Sequence, residues 1–383
     1  MAPFGYSMIG YTRMIADRVR TEAYSQALRT LVRPGSVVAD LGTGTGFFAL
    51  LAAQCGARVV YGIEPCSIVG FAKELAAANG CGDRIRFMQR MSTDVSLPEP
   101  ADVIVSDLRG ALPLFQSGLP SIIDARDRLL APGGTLVPQR DRVWAALASA
   151  PELFSSSLDA TDARLGVDMT PARRFITNTL WSARIRAERL LVEPRCWWVI
   201  DYATLRHADG AGTLAWTIDR RAVAHGVALW FDSVLCDGVG FSNAPGDRQS
   251  AYGHLVLPFP EPLQLGEGDV VTVDVKATLT NGEYVWCWDT RIDAGGRAPA
   301  RSFRQSTFYG QPLSRPDLSR RAPSYVPRLN QAGAVNRLAF EMMSTSRPLG
   351  DIAATLTDTF PDRFGSPAQA LTYVGDLSAQ FSI

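Results

Sequence analysis

The sequence predicts an α/β domain followed by β structure: a doubly wound, Rossmann-like parallel sheet, then a β-barrel with a helical insertion, then a small, mainly helical C-terminal domain. Three observations carry this. Short apolar runs alternate with helical patterns from Ser36 to about Pro138. After Asp141, β-rich runs are broken by Gly, Asn and Pro at roughly ten-residue spacing, the rhythm of a sandwich or barrel. Beyond a proline- and arginine-rich stretch at Arg315 to Pro323, three amphipathic helical patterns follow within the remaining chain.

The elements read as follows. Val37–Asp40 is a buried strand, followed by a glycine turn and a helix through Phe47, Leu50 and Leu51. Strands are expected at Arg58–Ile63, Ile85–Met88 and Asp102–Val105, with a helix at Ile68–Ala78. Trp197–Ile200, Ala228–Phe231 and Val270–Val275 read as strands of the second domain. Thr170-Pro171 opens a helical pattern carrying Phe175, Leu180, Trp181, Ile185 and Leu190, read as a helical insertion at about 168–192. The last three helices are expected at Asn330–Met343, Leu349–Phe360 and Ala368–Phe381. The domains are therefore 1–36 (helices covering a ligand), 37–140 (parallel sheet), 141–310 (barrel), 311–326 (linker) and 327–383 (C-terminal domain).

Composition narrows the partners. Across 383 residues, 38 basic and 38 acidic side chains cancel, so no global field gathers nucleic acid or an anionic membrane, and neither is an expected partner. Lys73 and Lys276 are the only lysines, a bias spread too evenly to mark a site. The start lacks a basic segment followed by an apolar stretch, and no run approaches the ~18 apolar residues of a membrane helix. Six separated cysteines have neither CxxC zinc spacing nor the density of a disulfide scaffold. A soluble protein of a reduced cytoplasm, without a metal, is the expectation.

Asp40-Leu41-Gly42-Thr43-Gly44-Thr45-Gly46 follows a strand and opens a helix, the place where a backbone without Cβ atoms can touch a small polar ligand. A dinucleotide fingerprint needs its third glycine one place later, where Phe47 stands, which weakens an NAD-dependent oxidoreductase. Glu64 ends the next strand, where a carboxylate can accept from both hydroxyls of a ribose. A glycine turn that merely packs helix on sheet is the plain alternative. The stretch Val37 to Pro65, with Ala131–Pro138 further on, resembles the class I S-adenosylmethionine-dependent methyltransferases. The resemblance implies S-adenosyl-L-methionine as cofactor.

Two more segments resemble the protein arginine methyltransferases, over roughly residues 5 to 310. One is Tyr11-Thr12-Arg13-Met14-Ile15-Ala16-Asp17-Arg18-Val19-Arg20-Thr21-Glu22-Ala23-Tyr24; the resemblance implies that Tyr11 covers the cofactor, that Arg20 holds its carboxylate and that Met14 packs near the sulfonium. The other, Ser106 to Leu119, is similar to the family's loop of two glutamates, whose positions hold Asp107 and Gln116 here. Methyl transfer to a guanidinium needs a localised lone pair, and two carboxylates around the cation supply that help; one shorter carboxylate and an amide supply less. Asp107 remains the candidate that orients and deprotonates a nucleophile, with Gln116 as hydrogen-bonding partner. An acid that only bonds backbone amides is the alternative for Asp107.

The family's Thr-His-Trp loop falls on Ser250-Ala251-Tyr252, so the histidine that would pair with Asp17 is absent. His254 is read as an exposed loop residue, or as a substitute partner if the loop shifts. Thr93 and Asp94 fall where similar enzymes contact adenine. By the same resemblance the insertion is a dimerisation arm, and a two-fold homodimer is expected, with packing on the C-terminal domain as the alternative. The C-terminal segment from Leu329 to Met343, Pro348 to Ala353 and Phe360-Pro361 resembles the small winged-helix-like pyrroloquinoline quinone biosynthesis D (PqqD-like) domains. That implies binding of a precursor peptide by strand addition and a peptide or natural-product acceptor. The expected activity is methyl transfer to a nitrogen of a peptide or small natural-product intermediate, arginine among them; the competing reading is a catalytically silent cofactor-binding subunit.

Overall fold

The computed structural model describes residues 6–158, 166–246, 250–297 and 299–382. The chain forms two compact units, Met1–Pro312 and Leu313–Ile383.

The larger unit begins with α1 (Met8–Ala16) and α2 (Arg18–Leu31). They break at Asp17, whose Oδ1 accepts from the Arg20 amide at 3.2 Å and caps α2. A parallel sheet follows, built from β1 (Val37–Leu41), α3 (Phe47–Gln54), β2 (Val59–Ile63), α4 (Val69–Ala78), β3 (Ile85–Met88), β4 (Ala101–Ser106), α5 (Gly118–Leu129) and β5 (Leu130–Val137). Its strand order is β3-β2-β1-β4-β5. Every residue of β1 and β2 is buried, as β-branched, apolar strands covered on both faces should be. The order reverses at β1, so the crevice outside the carboxyl ends of β1, β2 and β4 is where this topology receives a ligand. The Ala131–Gly134 stretch lies inside β5, with Gly133 at φ +78°.

Two antiparallel sheets complete this unit. Its elements are β6 (Arg140–Ala148), α6 (Pro151–Leu158), α7 (Thr170–Ile176), β7 (Trp181–Ala183), β8 (Arg195–Asp201), β9 (Gly210–Thr217), β10 (Ala222–Cys236), β11 (Val239–Ser242), β12 (His254–Leu265), β13 (Val270–Thr280), β14 (Glu283–Asp293) and β15 (Arg301–Ser306). A six-stranded sheet runs β7-β12-β10-β6-β8 with β11 beside β10; a four-stranded sheet runs β15-β14-β13-β9. Their inner faces share one continuous apolar core with the parallel sheet, centred on Trp286, Trp288, Phe231 and Phe259.

The helical insertion is corrected here. Only Thr170–Ile176 is α-helical; Trp181 enters β7, which pairs with β12, Ile185 is buried beyond it, and Leu190 forms a bridge to Ala148. The apolar residues that suggested a longer helix are covered by Phe154 of α6 and the outer face of the sheet. A short apolar run satisfies a half-covered strand as well as a helix, and sheet pairing decided it.

The smaller unit holds α8 (Arg315–Ser319) inside the predicted linker, then α9 (Gln331–Ser344), α10 (Leu349–Thr359) and α11 (Pro367–Phe381). Asn330 and Ser366 cap α9 and α11 through Gly333 N and Gln369 N. Val335, Ile352, Leu356, Phe364 and Val374 form its core. The three expected helices stand, but no strand occurs among the described residues of this unit, so the winged-helix-like reading loses its wing. No helix among the described residues is long and apolar enough to cross a membrane.

Candidate functional site

The glycine loop after β1 turns on left-handed backbone that only glycine adopts without strain: Gly42, Gly44 and Gly46 have φ of +68°, +53° and +80°. The Gly42 and Thr43 amides donate to Ile63 O at 2.8 and 3.1 Å, tying the loop to the end of β2. A Cβ on Gly44 would lie 2.8 Å from Tyr11 Cε1, and one on Gly42 would collide with Leu108. The loop is thus stripped of side chains where α1 folds over it. Tyr11 is buried, and burial, with the nearby Glu64 charge, pushes its phenol up to about 12.

Glu64 is 7% exposed. Its Oε2 accepts from Gly44 N at 3.0 Å and its Oε1 from Cys66 N at 3.0 Å. The Cys66 thiol also hydrogen-bonds this carboxylate, and the acceptor capacity that remains suits a ribose hydroxyl.

Asp40 lies deeper, accepting from Thr43 Oγ1 at 2.5 Å. Burial pushes its carboxyl up to about 7. An acid whose folded pKa exceeds its unfolded one holds a proton in the folded state that the unfolded state has lost, so its contribution to stability falls as pH rises from about 4 through 7. The span is worth up to about 4 kcal/mol. Unfolding in urea at pH 5 and pH 8 tests this: the Asp40→Asn variant should lose a few kcal/mol of the wild type's pH dependence, and an unaltered slope would show that Asp40 is already ionised at pH 5.

Beyond β3, Thr93 and Asp94 form a 3-10 turn pinned by Arg128, whose Nη2 donates to Ser92 O and Thr93 O at 3.0 and 3.3 Å. A cleft of about 280 Å³ is lined by Met88, Gln89 and Asp94. Asp94 faces this cleft and Thr93 does not line it.

The loop after β4 brings the charged groups together. Asp107 Oδ2 accepts from Arg20 Nε at 2.5 Å, both its oxygens lie 2.7 Å from the Tyr252 hydroxyl, and Tyr24 OH is 3.3 Å from Oδ1. Burial alone would raise the Asp107 pKa, but Arg20, Arg109 and the Tyr252 hydrogen bond together hold it below the ordinary carboxylate range. Tyr252 goes the opposite way, driven up first by burial and then by Asp107. The pair therefore stands as a carboxylate and a protonated phenol. Arg20 donates Nη1 to Met14 O at 3.1 Å, and its guanidinium carbon lies 4.9 Å from the Phe48 ring centre. Its Nη2 has no protein partner among the described residues, which leaves that nitrogen's two N–H donors for a ligand carboxylate.

Gln116 sits at φ +44°, a left-handed conformation uncommon for its type, and no hydrogen bond joins it to Asp107 among the described residues. The two candidates are not brought into one hydrogen-bonded pair. Asp17 is repartnered: its Oδ2 accepts from Ala251 N at 2.7 Å and Ser250 Oγ at 3.2 Å, backbone and hydroxyl standing where a histidine was missing. His254 is corrected, being neither exposed nor a partner of Asp17. It is buried at the start of β12, where Nδ1 accepts from Ile185 N at 2.8 Å and Nε2 lies 2.8 Å from Asn243 O.

Sequence reasoning missed Tyr252, Tyr24, Arg109 and Asp141. Tyr252 had a signal, since it occupied the aromatic place of a recognised loop. Asp141 had none: it lies between Arg140 and Arg142 like any polar strand residue, yet is fully buried.

Comparison with known proteins places the chain among methyltransferases. A family model described as ribosomal protein L11 methyltransferase (PrmA) matches residues 20–149. Probable protein arginine N-methyltransferase 6 of Arabidopsis thaliana is 34% identical over 238 residues, which cover 59% of this chain and 54% of that protein's length. Protein arginine N-methyltransferase PRMT10 of Oryza sativa subsp. japonica is 31% identical over 298 residues, covering 68% of this chain and 78% of that one. Among solved structures, Arabidopsis thaliana protein arginine methyltransferase 10 superimposes with a TM-score of 0.69 at 23% identity, covering 78% of this chain and 97% of that one. The Trypanosoma brucei PRMT1 enzyme-prozyme heterotetrameric complex with AdoHcy gives a TM-score of 0.71 at 22% identity, covering 77% and 96%. The glycine loop at the switch point of the parallel sheet and this kinship converge: the chain belongs to the protein arginine N-methyltransferase family and is an S-adenosylmethionine-dependent methyltransferase.

Proposed function

We propose that this chain transfers a methyl group to a nitrogen of a peptide or natural-product intermediate, with arginine the acceptor that the relatives' names indicate. The observation that carries the reading is the Asp107 carboxylate, buried at the carboxyl end of β4 beside the same switch-point crevice as the glycine loop. Gly42, Gly44 and Gly46 would let the cofactor lie against backbone, Glu64 would take its ribose hydroxyls, and Asp94 would face its adenine. Tyr11 and Met14 of α1 would cover it, and Arg20 Nη2 would pair with its carboxylate. When bound, the cofactor supplies an electrophilic methyl on sulfur. Asp107 then orients the acceptor nitrogen and draws off its proton, and Tyr252 keeps the carboxylate ionised and fixed. Holding the acceptor in line behind the methyl supplies most of the acceleration.

One observation favours the second reading, a catalytically silent cofactor-binding subunit: Asp107 is already engaged by Arg20, Tyr24 and Tyr252. The test is S-adenosylhomocysteine formation with arginine-containing peptides, free arginine and neutral-nitrogen acceptors. Turnover of any of them sinks the silent reading, whereas tight cofactor binding without product across the panel sinks the enzyme.

Three finer expectations belong to this proposal. A two-fold homodimer is supported by Val167 and Met169, exposed on the segment leading into α7. A cytoplasmic setting is supported by six free cysteines. Peptide binding by the C-terminal unit is supported by its independent core of α9–α11; the described residues of the unit offer no strand edge for strand addition, so a helical face would receive the peptide.

A further inference from the structure

The loop that carries Asp107 also buries a second guanidinium beside it. Arg109 is 2% exposed in its side chain. Its Nη2 lies 3.2 Å from Asp141 Oδ1, 3.1 Å from Asp141 Oδ2 and 3.1 Å from Ser233 Oγ. Asp141 is held in turn by the Tyr202 hydroxyl at 2.5 Å. The other nitrogen, Nη1, stands 3.7 Å from Asp107 Oδ1 and is buried without a hydrogen-bond partner. The guanidinium carbon is 5.2 and 5.6 Å from the ring centres of Phe231 and Phe241. These two rings pack against Tyr252, at 5.3 and 6.0 Å.

A protein tolerates a buried cation with an unpartnered nitrogen only where neighbouring charge compensates it. Here the compensation comes from Asp141 on one side and Asp107 on the other. Asp107 is therefore met by two resident guanidiniums, Arg20 at 2.5 Å and Arg109 at 3.7 Å, before any acceptor arrives. A guanidinium acceptor needs a carboxylate whose charge is not yet matched. Brought to this one, it adds a third positive charge to a buried cluster whose two carboxylates, Asp107 and Asp141, are already matched by two guanidiniums. An uncharged nitrogen with its own lone pair adds none, and it needs no charge localised before it attacks.

We propose that Arg109 is the specificity-determining residue of the acceptor site and fits it to an uncharged nitrogen, such as an imidazole, in preference to a guanidinium. This rests on the methyltransferase reading and narrows its substrate class. Arg109 acts through the Asp107 charge, so it is a positioning residue.

The test uses the full chain with S-adenosylhomocysteine, whose binding is measured first. Two peptides, identical except for histidine or arginine at one position, are then titrated calorimetrically at pH 8 into the loaded wild type and into an Arg109→Met/Asp141→Asn variant. The double change removes the cation together with its matched anion, and the asparagine oxygen still accepts from Tyr202. The wild type should bind the histidine peptide at least tenfold more tightly, about 1.4 kcal/mol. The variant should gain at least tenfold for the arginine peptide with S-adenosylhomocysteine affinity unchanged. Equal, reversed or absent discrimination in the wild type overturns the proposal even if the variant does not fold, as does a folded variant with an unaltered preference. Failure of S-adenosylhomocysteine to bind the wild type is a separate result, which removes the methyltransferase reading and this inference with it.

Discussion

Replacing Asp107 with asparagine should lower kcat by about 10²- to 10⁴-fold, the range for removing a positioned base or a charge that stabilises the transition state. The amide is nearly isosteric, so the acceptor pocket keeps its shape while its anion is gone. Cofactor affinity should move by less than tenfold, because Arg20 keeps its contact with Met14 O and its free Nη2. Stability should suffer more visibly. Arg20 and Arg109 would face a neutral amide, and breaking a buried pair by neutralising one side costs about 3–5 kcal/mol. Single-turnover kinetics and urea unfolding on the same preparation separate the two effects. Asp107→Glu, which preserves charge at a longer reach, should recover stability more fully than rate. A kcat unchanged in the folded Asp107→Asn protein would take Asp107 out of the mechanism.

The parallel sheet was legible because its signals are local: apolar β-branched runs, a glycine turn and an acid at the next strand's end lie within thirty residues of sequence, Val37 to Glu64. The candidates for the cofactor side come from the same local signals, and the structure gathers Tyr11, Gly44 and Glu64 around one crevice. The acceptor side was legible in position but not in chemistry. Asp107 was found by its place in a loop, yet its partners beyond that loop come from α2 and the segment before β12, separated by up to 145 residues in sequence. No spacing rule reports such a meeting. Tyr252 looked like the conservative end of a damaged motif, whereas its hydroxyl is what fixes the carboxylate. The segment after Thr170 was misread because Leu180, Trp181 and Ile185 satisfy a helical period by coincidence, and pairing between Trp181 and Val256, invisible locally, made it a strand.

The second large effect concerns Glu64. Its carboxylate has two acceptor oxygens, each already holding one backbone N–H, from Gly44 and from Cys66. A glutamine offers only one oxygen, so its amide must face either a backbone N–H or a ribose hydroxyl that seeks an acceptor. Losing one charge-assisted bond removes about 1.5–3 kcal/mol of binding, and stranding a buried N–H costs about 1–3 kcal/mol more, partly shared by the unliganded protein. Glu64→Gln should therefore weaken S-adenosylhomocysteine binding by about 10²-fold. Ligand at a hundredfold excess over Kd should stabilise the wild type by about 2.7 kcal/mol and the variant by less than half of that. NAD titrated in parallel should give no stabilisation, since the third glycine that a dinucleotide fold uses for close helix–strand packing is replaced by Phe47 at the start of α3. An unaltered S-adenosylhomocysteine affinity in the variant would move the ribose elsewhere in the crevice. Stabilisation by NAD would do more, because the same carboxylate would then be gripping a different nucleoside and the glycine loop would have to be reread as a phosphate turn.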